Sequence, residues 1–432
     1  MDQNINSVGK NYAYEIKGGI PLKGDIEISG SKNAALGIIA ASIMVDGVCT
    51  LENVPDIIDV HVMFDLLRSL GAKVDTIDSH TYRIDSTTIN TYKASGPLVS
   101  RIRASYYLMG ALLGRCGKAS IRLPGGCNFG QRPIDLHLKA FQLMGAKGSR
   151  PADINSGIVN LEADPLHGAR IYLDIVSVGA TINAMLAACK AQGKTEIINA
   201  AKEPHIVDVA NFLNSMGANV RGAGTDTIRV RGVKKLHGTT YSVIPDQIEA
   251  GTYMCLAAAT EGDILIKDII PKHLDSISAK LIDMGNNVIE YDEALRVVGC
   301  ENEYPTQVKT LPYPGFPTDM QPQISAVLVR ARGVSKVEES IFESRFKYVE
   351  ELKKMGAKID VKDKISTIEG VERLQGADLI VPDLRAGAAL VIAALSASGK
   401  STIANIEYIK RGYEDFENKL LALGADIKLI EE

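Results

Sequence analysis

The chain has 432 residues, which is too long for one ordinary hydrophobic core and predicts two domains of roughly 200 residues each. Its 48 Lys and Arg against 52 Asp and Glu residues give a net charge of −4, which argues against nucleic acid or an acidic membrane as partner. The six cysteines form no CxxC pair, so neither a zinc site nor a disulfide framework is predicted. No apolar run approaches the ~18 residues that span a bilayer, and the first residues lack a signal-peptide pattern. We therefore expect a soluble, cytoplasmic α/β protein.

The strongest structural signal is an internal repeat. A Leu-Gly or Met-Gly pair, usually followed by Ala, recurs with its glycine at positions 71, 145, 217, 285, 356 and 424. A second set of glycines lies 23 to 28 residues earlier, at positions 47, 117, 193, 262, 333 and 399. Two glycine positions that recur in step predict six homologous repeats of about 70 residues, three to a domain. A solenoid is the weaker alternative because the end repeats carry no distinct polar caps.

Taken in chain order, each repeat contains an apolar helix that ends near the earlier glycine. These helices are predicted at 34–44, 104–113, 180–189, 250–260, 323–331 and 386–397. Because they are apolar nearly all round, we expect them to be buried on every side. A short strand follows each, then an amphipathic helix such as 59–70 or 345–355, which the later glycine ends as a left-handed C-cap. With a closing strand, the repeat reads approximately β-α-β-α-β.

One loop departs from the repeat: residues 123–137 read Leu-Pro-Gly-Gly-Cys-Asn-Phe-Gly-Gln-Arg-Pro-Ile-Asp-Leu-His. The Arg132 guanidinium suits phosphate or carboxylate, and Pro133 suits the first turn of a helix. A helix N-terminus favours anions and thiolates, so Cys127 is a candidate reactive residue. A lone cysteine is more often a small buried residue, and the loop alone leaves that alternative open. His137 is interpreted as a hydrogen-bond partner on the helix surface.

Basic residues recur where the chain enters the apolar helices and near the ends of the repeats. They are Lys32, Arg103, Arg132, Arg345, Arg385 and Arg411. A single arginine is usually a solvated ion pair, but residues at matched points predict a cleft between the domains that binds a small polyanion. Asp319, in a loop between Pro317 and Gln321, is either a general base or a helix N-cap.

Seven motifs in this chain occur together in one family: 31–35, 123–127, 132–137, 177–181, 316–321, 342–346 and 411–413. From about Tyr14 to the C-terminus the chain resembles the UDP-N-acetylglucosamine 1-carboxyvinyltransferases, a family of enolpyruvyl transferases. The resemblance implies transfer of enolpyruvate from phosphoenolpyruvate to the 3′-hydroxyl of UDP-N-acetylglucosamine with release of phosphate, the first committed step of peptidoglycan synthesis. It implies no metal or organic cofactor. It also implies two inverse (inside-out) α/β barrels, residues 32–244 and residues 1–31 with 245–432.

The resemblance also assigns roles to single residues. Cys127 would protonate the methylene carbon and Asp319 would accept the hydroxyl proton, while Lys32 and Arg411 would bind phosphoenolpyruvate together with Arg132. Arg345 and Arg385 would contribute to the same cleft. Contacts with the nucleotide sugar are implied at Asn33, Arg103, Arg132, Pro133, Ile134, Asp135, Leu136, His137, Ser177, Val178, Gly179, Asp319 and Ile341.

Two positions depart from the family pattern: Gln247 stands where relatives often carry a basic residue, and Ile175 where some carry lysine. Both bear on the nucleotide contacts. The related 5-enolpyruvylshikimate-3-phosphate synthases share the repeat but lack the Pro-Gly-Gly-Cys loop. A non-catalytic copy that binds UDP-sugar is a further alternative, and the oligomeric state is open. The resemblance implies that fosfomycin alkylates Cys127.

Overall fold

The strands of this chain form six four-stranded sheets with one shared topology. The computed structural model describes residues 12–123, 134–149 and 157–431. Within these residues the strands are β1 Tyr12–Lys17, β2 Lys23–Glu27, β3 Val48–Glu52, β4 Lys73–Thr76, β5 Tyr82–Asp85, β6 Lys93–Ala94, β7 Lys118–Arg122, β8 Lys147–Gly148, β9 Ile158–Glu162, β10 Arg170–Tyr172, β11 Lys194–Ile198, β12 Asn219–Arg221, β13 Thr227–Arg231, β14 Thr240–Ser242, β15 Asp263–Lys267, β16 Asn287–Glu290, β17 Ala294–Val298, β18 Gln307–Lys309, β19 Val334–Glu338, β20 Lys358–Lys362, β21 Ile365–Glu369, β22 Asp378–Ile380, β23 Lys400–Ala404 and β24 Asp426–Glu431.

The helices fall into a buried central set and an outer set. In chain order they are α1 Lys32–Ser42, α2 Ile58–Ser69, α3 Tyr107–Cys116, α4 Asp135–Leu143, α5 Val178–Ala188, α6 Pro204–Ser215, α7 Gln247–Ala259, α8 Asp275–Asp283, α9 Gln321–Leu328, α10 Tyr348–Lys354, α11 Leu384–Ser396, α12 Glu407–Lys410 and α13 Phe416–Ala422. None of the helices within the described residues has the length and apolarity needed to cross a bilayer.

In every sheet one edge strand is parallel to its neighbour and the other two pairings are antiparallel. The sheet orders are β14-β3-β5-β4, β6-β7-β9-β8, β10-β11-β13-β12, β2-β15-β17-β16, β18-β19-β21-β20 and β22-β23-β1-β24. The predicted six repeats are confirmed by this shared order. Each sheet has one strand more than predicted. In five repeats the chain after the outer helix forms two antiparallel strands rather than a single closing strand, and in the last repeat the N-terminal β1 supplies the additional strand.

Contacts divide the chain into two compact units. The first domain runs from Ser29 to Asp246, and the second contains the chain up to Ile28 and from Gln247 onward. In the first domain three sheets surround the central helices α1, α3 and α5, and in the second three sheets surround α7, α9 and α11. Helices therefore lie inside and sheets outside, as expected for inside-out barrels. Twelve of the thirteen residues of α7 and of α11 are buried, which confirms the prediction from their all-round apolarity.

The N-terminal strands complete sheets of the second domain. β1 pairs with β23 and β24, and β2 pairs in parallel with β15, although β2 directly precedes α1 of the first domain. In the same way β14 precedes α7 but pairs with β3 of the first domain. The two passages of the chain between the domains run side by side: the Ser31 N–H donates to the Ile244 carbonyl at 2.7 Å, and the Asp246 N–H to the Ser29 carbonyl at 2.9 Å.

Six glycines end the outer helices in the left-handed conformation. Their φ angles lie between +88° and +101°, a region that only glycine enters without a steric penalty. They are Gly71, Gly145, Gly217, Gly285, Gly356 and Gly424. The prediction of left-handed C-caps is therefore confirmed in all six repeats.

The central helices begin earlier than predicted. Five of them start at positions 32, 178, 247, 321 and 384, where the sequence predicted 34, 180, 250, 323 and 386. The exception is α3, which starts at Tyr107 after a 3-10 turn, Arg103–Tyr106. The early starts matter for function because the first helical turns carry polar residues that sequence patterns assign to loops.

Candidate active site

Asp319 lies between two arginines of the second domain. It occupies the 3-10 turn Thr318–Met320, which leads directly into α9. Its Oδ1 accepts a hydrogen bond from Nη2 of Arg345 at 2.8 Å, and its Oδ2 accepts one from Nη2 of Arg385 at 3.1 Å. The Asp319 side chain is 28% exposed, whereas both arginine side chains are almost completely buried. A carboxylate that solvent can reach is thus held in a fixed position.

The charge state of Asp319 follows from these neighbours. Burial alone would raise the pKa of the carboxyl group, but the positive charges of Arg385 and Arg345 and their hydrogen bonds together hold it well below its usual range. Asp319 is therefore ionised at neutral pH. Both carboxylate oxygens of Asp319 bind guanidinium groups, so the contacts do not support the alternative role of Asp319 as a helix N-cap.

The two arginines are positioned by different elements. Arg385 lies in the first turn of α11, where Asp383 caps the helix by accepting the N–H groups of Arg385 and Ala386, each at 3.0 Å. Arg345 precedes α10, and its guanidinium lies 5.2 Å from the Phe342 ring centre. Arg385 and Arg345 are only 3% and 5% exposed, so the alternative of solvated ion pairs is wrong for both.

A buried hydrogen-bond network fixes the ring beneath Arg385. The guanidinium lies 5.6 Å from the centre of the Tyr413 ring. The Thr252 hydroxyl donates to the Ile248 carbonyl at 2.8 Å, so it accepts from the Tyr413 hydroxyl, also at 2.8 Å. The Tyr413 oxygen in turn accepts from Nε2 of Gln323 at 3.2 Å. Tyr413 is thereby fixed to α7 and α9.

Lys32 is the first residue of α1 in the first domain. Its Nζ lies 2.8 Å from Oδ2 of Asp59 on α2, and both side chains are nearly buried. Its backbone N–H donates to Oδ2 of Asp246 at 2.9 Å. Asn33 follows in the same helical turn and is partly exposed. An ammonium group thus lies at a helix N-terminus, a place that favours anions.

The structure corrects the interpretation of His137. Its side chain is buried rather than on the helix surface, because α4 turns this face toward α5. Oδ1 of Asn183 accepts the Gly110 N–H at 2.8 Å, so its Nδ2 donates to Nδ1 of His137 at 2.8 Å. Burial and the charge of Arg103 lower the pKa of His137 to about 4, so the ring is neutral with its proton on Nε2.

Other residues assigned to the nucleotide sugar adjoin this histidine. Ser177 caps α5 by accepting the Ala180 N–H at 3.3 Å, and Val178 and Gly179 form the first turn. A Cβ at Gly179 would lie 2.9 Å from Cε1 of His137, so the two residues are in close contact and a larger residue at this position would force the His137 ring to shift.

The remaining assigned residues are located as follows. Ile134 is the N-cap of α4, followed by Asp135 and the buried Leu136. Arg103 opens the 3-10 turn before α3, Arg411 is the C-cap of α12, and Ile341 is 38% exposed. Cys127, Arg132 and Pro133 lie outside the described residues.

Sequence patterns missed three polar residues: Asp59 and Asn183 in these clusters, and Glu339, a buried residue that accepts a hydrogen bond from the Thr318 hydroxyl at 2.9 Å. Each stands on a buried face or next to a strand end. Asp59 and Asn183 interrupt buried helix faces that are mainly apolar, which is the one signal that could have identified them. Among the described residues no group of three or more His, Cys, Asp or Glu side chains could hold a metal ion.

The chain is similar to known carboxyvinyltransferases over almost its whole length. The family model for EPSP synthase (3-phosphoshikimate 1-carboxyvinyltransferase) matches residues 16–420. A Caldanaerobacter subterraneus protein named UDP-N-acetylglucosamine 1-carboxyvinyltransferase 3 is 52% identical over 97% of this chain and 99% of its own length. The Clostridium botulinum UDP-N-acetylglucosamine 1-carboxyvinyltransferase is 55% identical over 96% of this chain and 98% of its own length.

Solved structures agree with the fold. The crystal structure of the enolpyruvyl transferase NikO from Streptomyces tendae is 27% identical, with a TM-score of 0.88 over 98% of this chain and all of that one. An EPSP synthase from Acinetobacter baumannii is 19% identical, with a TM-score of 0.75 over 97% of this chain and all of its own. The second likeness concerns the fold alone.

Proposed function

The chain belongs to the EPSP synthase family of carboxyvinyltransferases, and we propose that it transfers the enolpyruvyl group of phosphoenolpyruvate to the 3′-hydroxyl of UDP-N-acetylglucosamine. The observation that carries this proposal is the 52% to 55% identity, over nearly the whole chain, to proteins named for that activity. The site has the chemistry that the reaction needs. Both substrates are anions, and the hydroxyl that attacks must lose a proton.

The reaction proceeds by addition and elimination. The hydroxyl oxygen bonds to C2 of phosphoenolpyruvate while its proton passes to Asp319, and Cys127 gives a proton to the methylene carbon C3. In the second half the Cys127 thiolate takes a proton back from that carbon, the bond from C2 to the phosphate oxygen breaks, and inorganic phosphate leaves with the proton that Asp319 had accepted. The atoms and electrons balance without an oxidant or reductant, so the sequence-based expectation of no organic cofactor is consistent with this scheme.

Asp319 is a weak base as long as both guanidinium groups remain on it, because they hold the pKa of its carboxyl group low. The phosphate and carboxylate of phosphoenolpyruvate compete for such groups. If Arg385 turns from Asp319 to the substrate, the carboxyl group is left with a higher pKa and a greater affinity for the hydroxyl proton. Substrate binding would thus activate the base when it is needed.

Other residues supply the complementary groups. Lys32, Arg132 and Arg411 bind phosphoenolpyruvate in this proposal, and the helix N-terminus at Lys32 adds the positive end of its dipole. The neutral His137, held by Asn183, offers Nε2–H as a donor to the nucleotide sugar. The domain boundaries 32–244 and 1–31 with 245–432, and a location in the cytoplasm, belong to the same proposal.

The test is release of phosphate from phosphoenolpyruvate with either of two acceptors, UDP-N-acetylglucosamine or shikimate-3-phosphate. We expect release with the nucleotide sugar only. Release with shikimate-3-phosphate only would replace the proposal by EPSP synthase activity. Binding of UDP-N-acetylglucosamine without release would instead indicate a non-catalytic copy.

A further inference from the structure

Glu339 is a buried carboxylate that receives four hydrogen bonds. It directly follows β19, and its side chain is completely buried. Oε1 accepts the N–H groups of Ile341 and Phe342, at 2.8 and 3.0 Å, and the Thr310 hydroxyl at 2.9 Å. Oε2 accepts the Thr318 hydroxyl at 2.9 Å. All four contacts come from donors, so both oxygens of Glu339 act as acceptors.

One branch of these contacts reaches Asp319. The Thr318 hydroxyl donates its hydrogen bond to Glu339, so the Thr318 oxygen can still accept one. Nη1 of Arg345 donates to this oxygen at 2.8 Å. Nη2 of the same guanidinium donates to Asp319 at 2.8 Å. A guanidinium is planar and rigid, so fixing Nη1 on Thr318 also fixes the direction of Nη2.

The other branch holds the segment Ile341–Phe342. Two backbone N–H groups of this segment point at one oxygen of Glu339, which fixes its turn. The Phe342 ring lies beneath the Arg345 guanidinium at 5.2 Å, so this branch supports the same arginine from a second side. Ile341, which is partly exposed, is an expected contact of the nucleotide sugar.

We propose that Glu339 is a positioning residue of the active site, which acts through Thr318 on Arg345 and Asp319 and through its backbone contacts on Ile341 and Phe342. The proposal rests on the proposed function, because it assumes that Asp319 takes the hydroxyl proton. Glu339 itself need not touch a substrate. Its role is to keep the base and the sugar-binding segment in one geometry.

Three variants separate the two branches. Thr318→Val keeps the shape of the side chain but removes the hydroxyl, and Thr318→Ser keeps the hydroxyl as the matched control. Glu339→Gln replaces one oxygen by an NH2 group. If Oε1 stays with the backbone N–H groups, that NH2 faces Thr318, so the threonine hydroxyl loses its acceptor.

We expect Thr318→Val to lower kcat by about 10 to 100-fold, the loss from one hydrogen bond to a charged group, with little change in KM for UDP-N-acetylglucosamine. Thr318→Ser should stay within about threefold of wild type. Glu339→Gln removes the acceptor of the Thr318 hydroxyl, and its neutral amide oxygen accepts the Ile341 and Phe342 N–H groups more weakly than a carboxylate oxygen. It should therefore lower kcat and also raise KM for the nucleotide sugar. Rates are referred to folded protein, measured by circular dichroism.

Each possible result either supports or overturns the positioning role of Glu339. If wild type turns over and Thr318→Val matches Thr318→Ser in kcat, or Glu339→Gln leaves both constants unchanged, the positioning role is wrong while the proposed function stands. If all three variants give less folded protein but keep the wild-type kcat and KM per folded molecule, Glu339 is merely structural and the proposal is likewise overturned. A wild-type protein that is folded but releases no phosphate would overturn the proposed function and this proposal with it.

Discussion

Arg345 and Asp319 are joined by a hydrogen bond of 2.8 Å in which a buried guanidinium holds a partly exposed carboxylate. The carboxylate is the only one of the two groups that a substrate hydroxyl can use as a base. Asp319→Asn keeps the shape of the side chain but can accept a hydrogen bond from only one of the two arginines. We expect it to lower kcat by about 10² to 10⁴-fold, the usual contribution of general-base catalysis. Steady-state kinetics measure this loss.

A matched control is available in the same domain. Asp263 accepts two hydrogen bonds from Arg296, at 2.7 and 2.6 Å, on the outer sheet. Asp263→Asn removes a similar ion pair away from the proposed site and should leave kcat unchanged. If both variants lost the same factor in kcat, the effect would come from losing any ion pair and not from losing the Asp319 carboxylate.

The pair of Lys32 and Asp59 should stabilise the first domain. Because both side chains are nearly buried, we expect a double-mutant cycle of Lys32→Met and Asp59→Asn to give a coupling of about 1–3 kcal/mol in the free energy of unfolding. The exposed pair of Lys358 and Glu369 provides the comparison, with an expected coupling below about 0.5 kcal/mol. Additive effects of Lys32→Met and Asp59→Asn in urea denaturation would contradict the expectation.

Glu303 should make stability depend on pH. Burial raises the pKa of its carboxyl group to about 8, despite the hydrogen bond from Asn286. Between about pH 4.5 and 8 the folded protein keeps this proton and the unfolded chain releases it, so rising pH favours unfolding. Glu303→Gln lacks the ionisation, and its stability relative to wild type should grow across this range by a few kcal/mol and level off above it.

Chemical denaturation at several pH values measures the Glu303 effect. Glu301→Gln, at an exposed position two residues earlier, serves as the control and should keep the wild-type pH dependence. A constant difference between Glu303→Gln and wild type from pH 5 to 9 would show that Glu303 does not retain its proton.

Cys127 should be alkylated by the epoxide fosfomycin, with loss of activity. Intact-protein mass spectrometry should find one adduct on wild type and none on Cys127→Ala. Cys116, an exposed free cysteine, is the matched control, and Cys116→Ala should still form the adduct. An adduct that survives Cys127→Ala would refute the assignment.

The repeat, the buried helices and the glycine caps were predictable because each depends on local patterns. Periodic apolarity determines which helices are central, and a left-handed turn demands glycine. The helix starts were less predictable. Lys32 and Arg385 are polar, so a periodicity criterion starts the helix after them, although in the structure the first turn includes them and they contact Asp59 and Asp319.

The hydrogen-bond networks could not be predicted from the sequence because they join residues that are distant in the chain. Glu339 follows another glutamate and reads as part of an exposed charged segment, yet it is buried beneath Thr318. His137 looks like a surface residue of an amphipathic helix, and only the proximity of Asn183, 46 residues away, shows its buried role. Such contacts depend on how the repeats close into a barrel.

The central claim is that this protein forms a carboxyvinyl ether at the 3-position of the sugar. The most direct measurement is NMR of the product made from ¹³C-labelled phosphoenolpyruvate and UDP-N-acetylglucosamine. The account predicts a labelled vinyl ether coupled to the C3 position of the sugar, formed together with an equal amount of inorganic phosphate. Label that stays in phosphoenolpyruvate, or that appears only as free pyruvate, would contradict it.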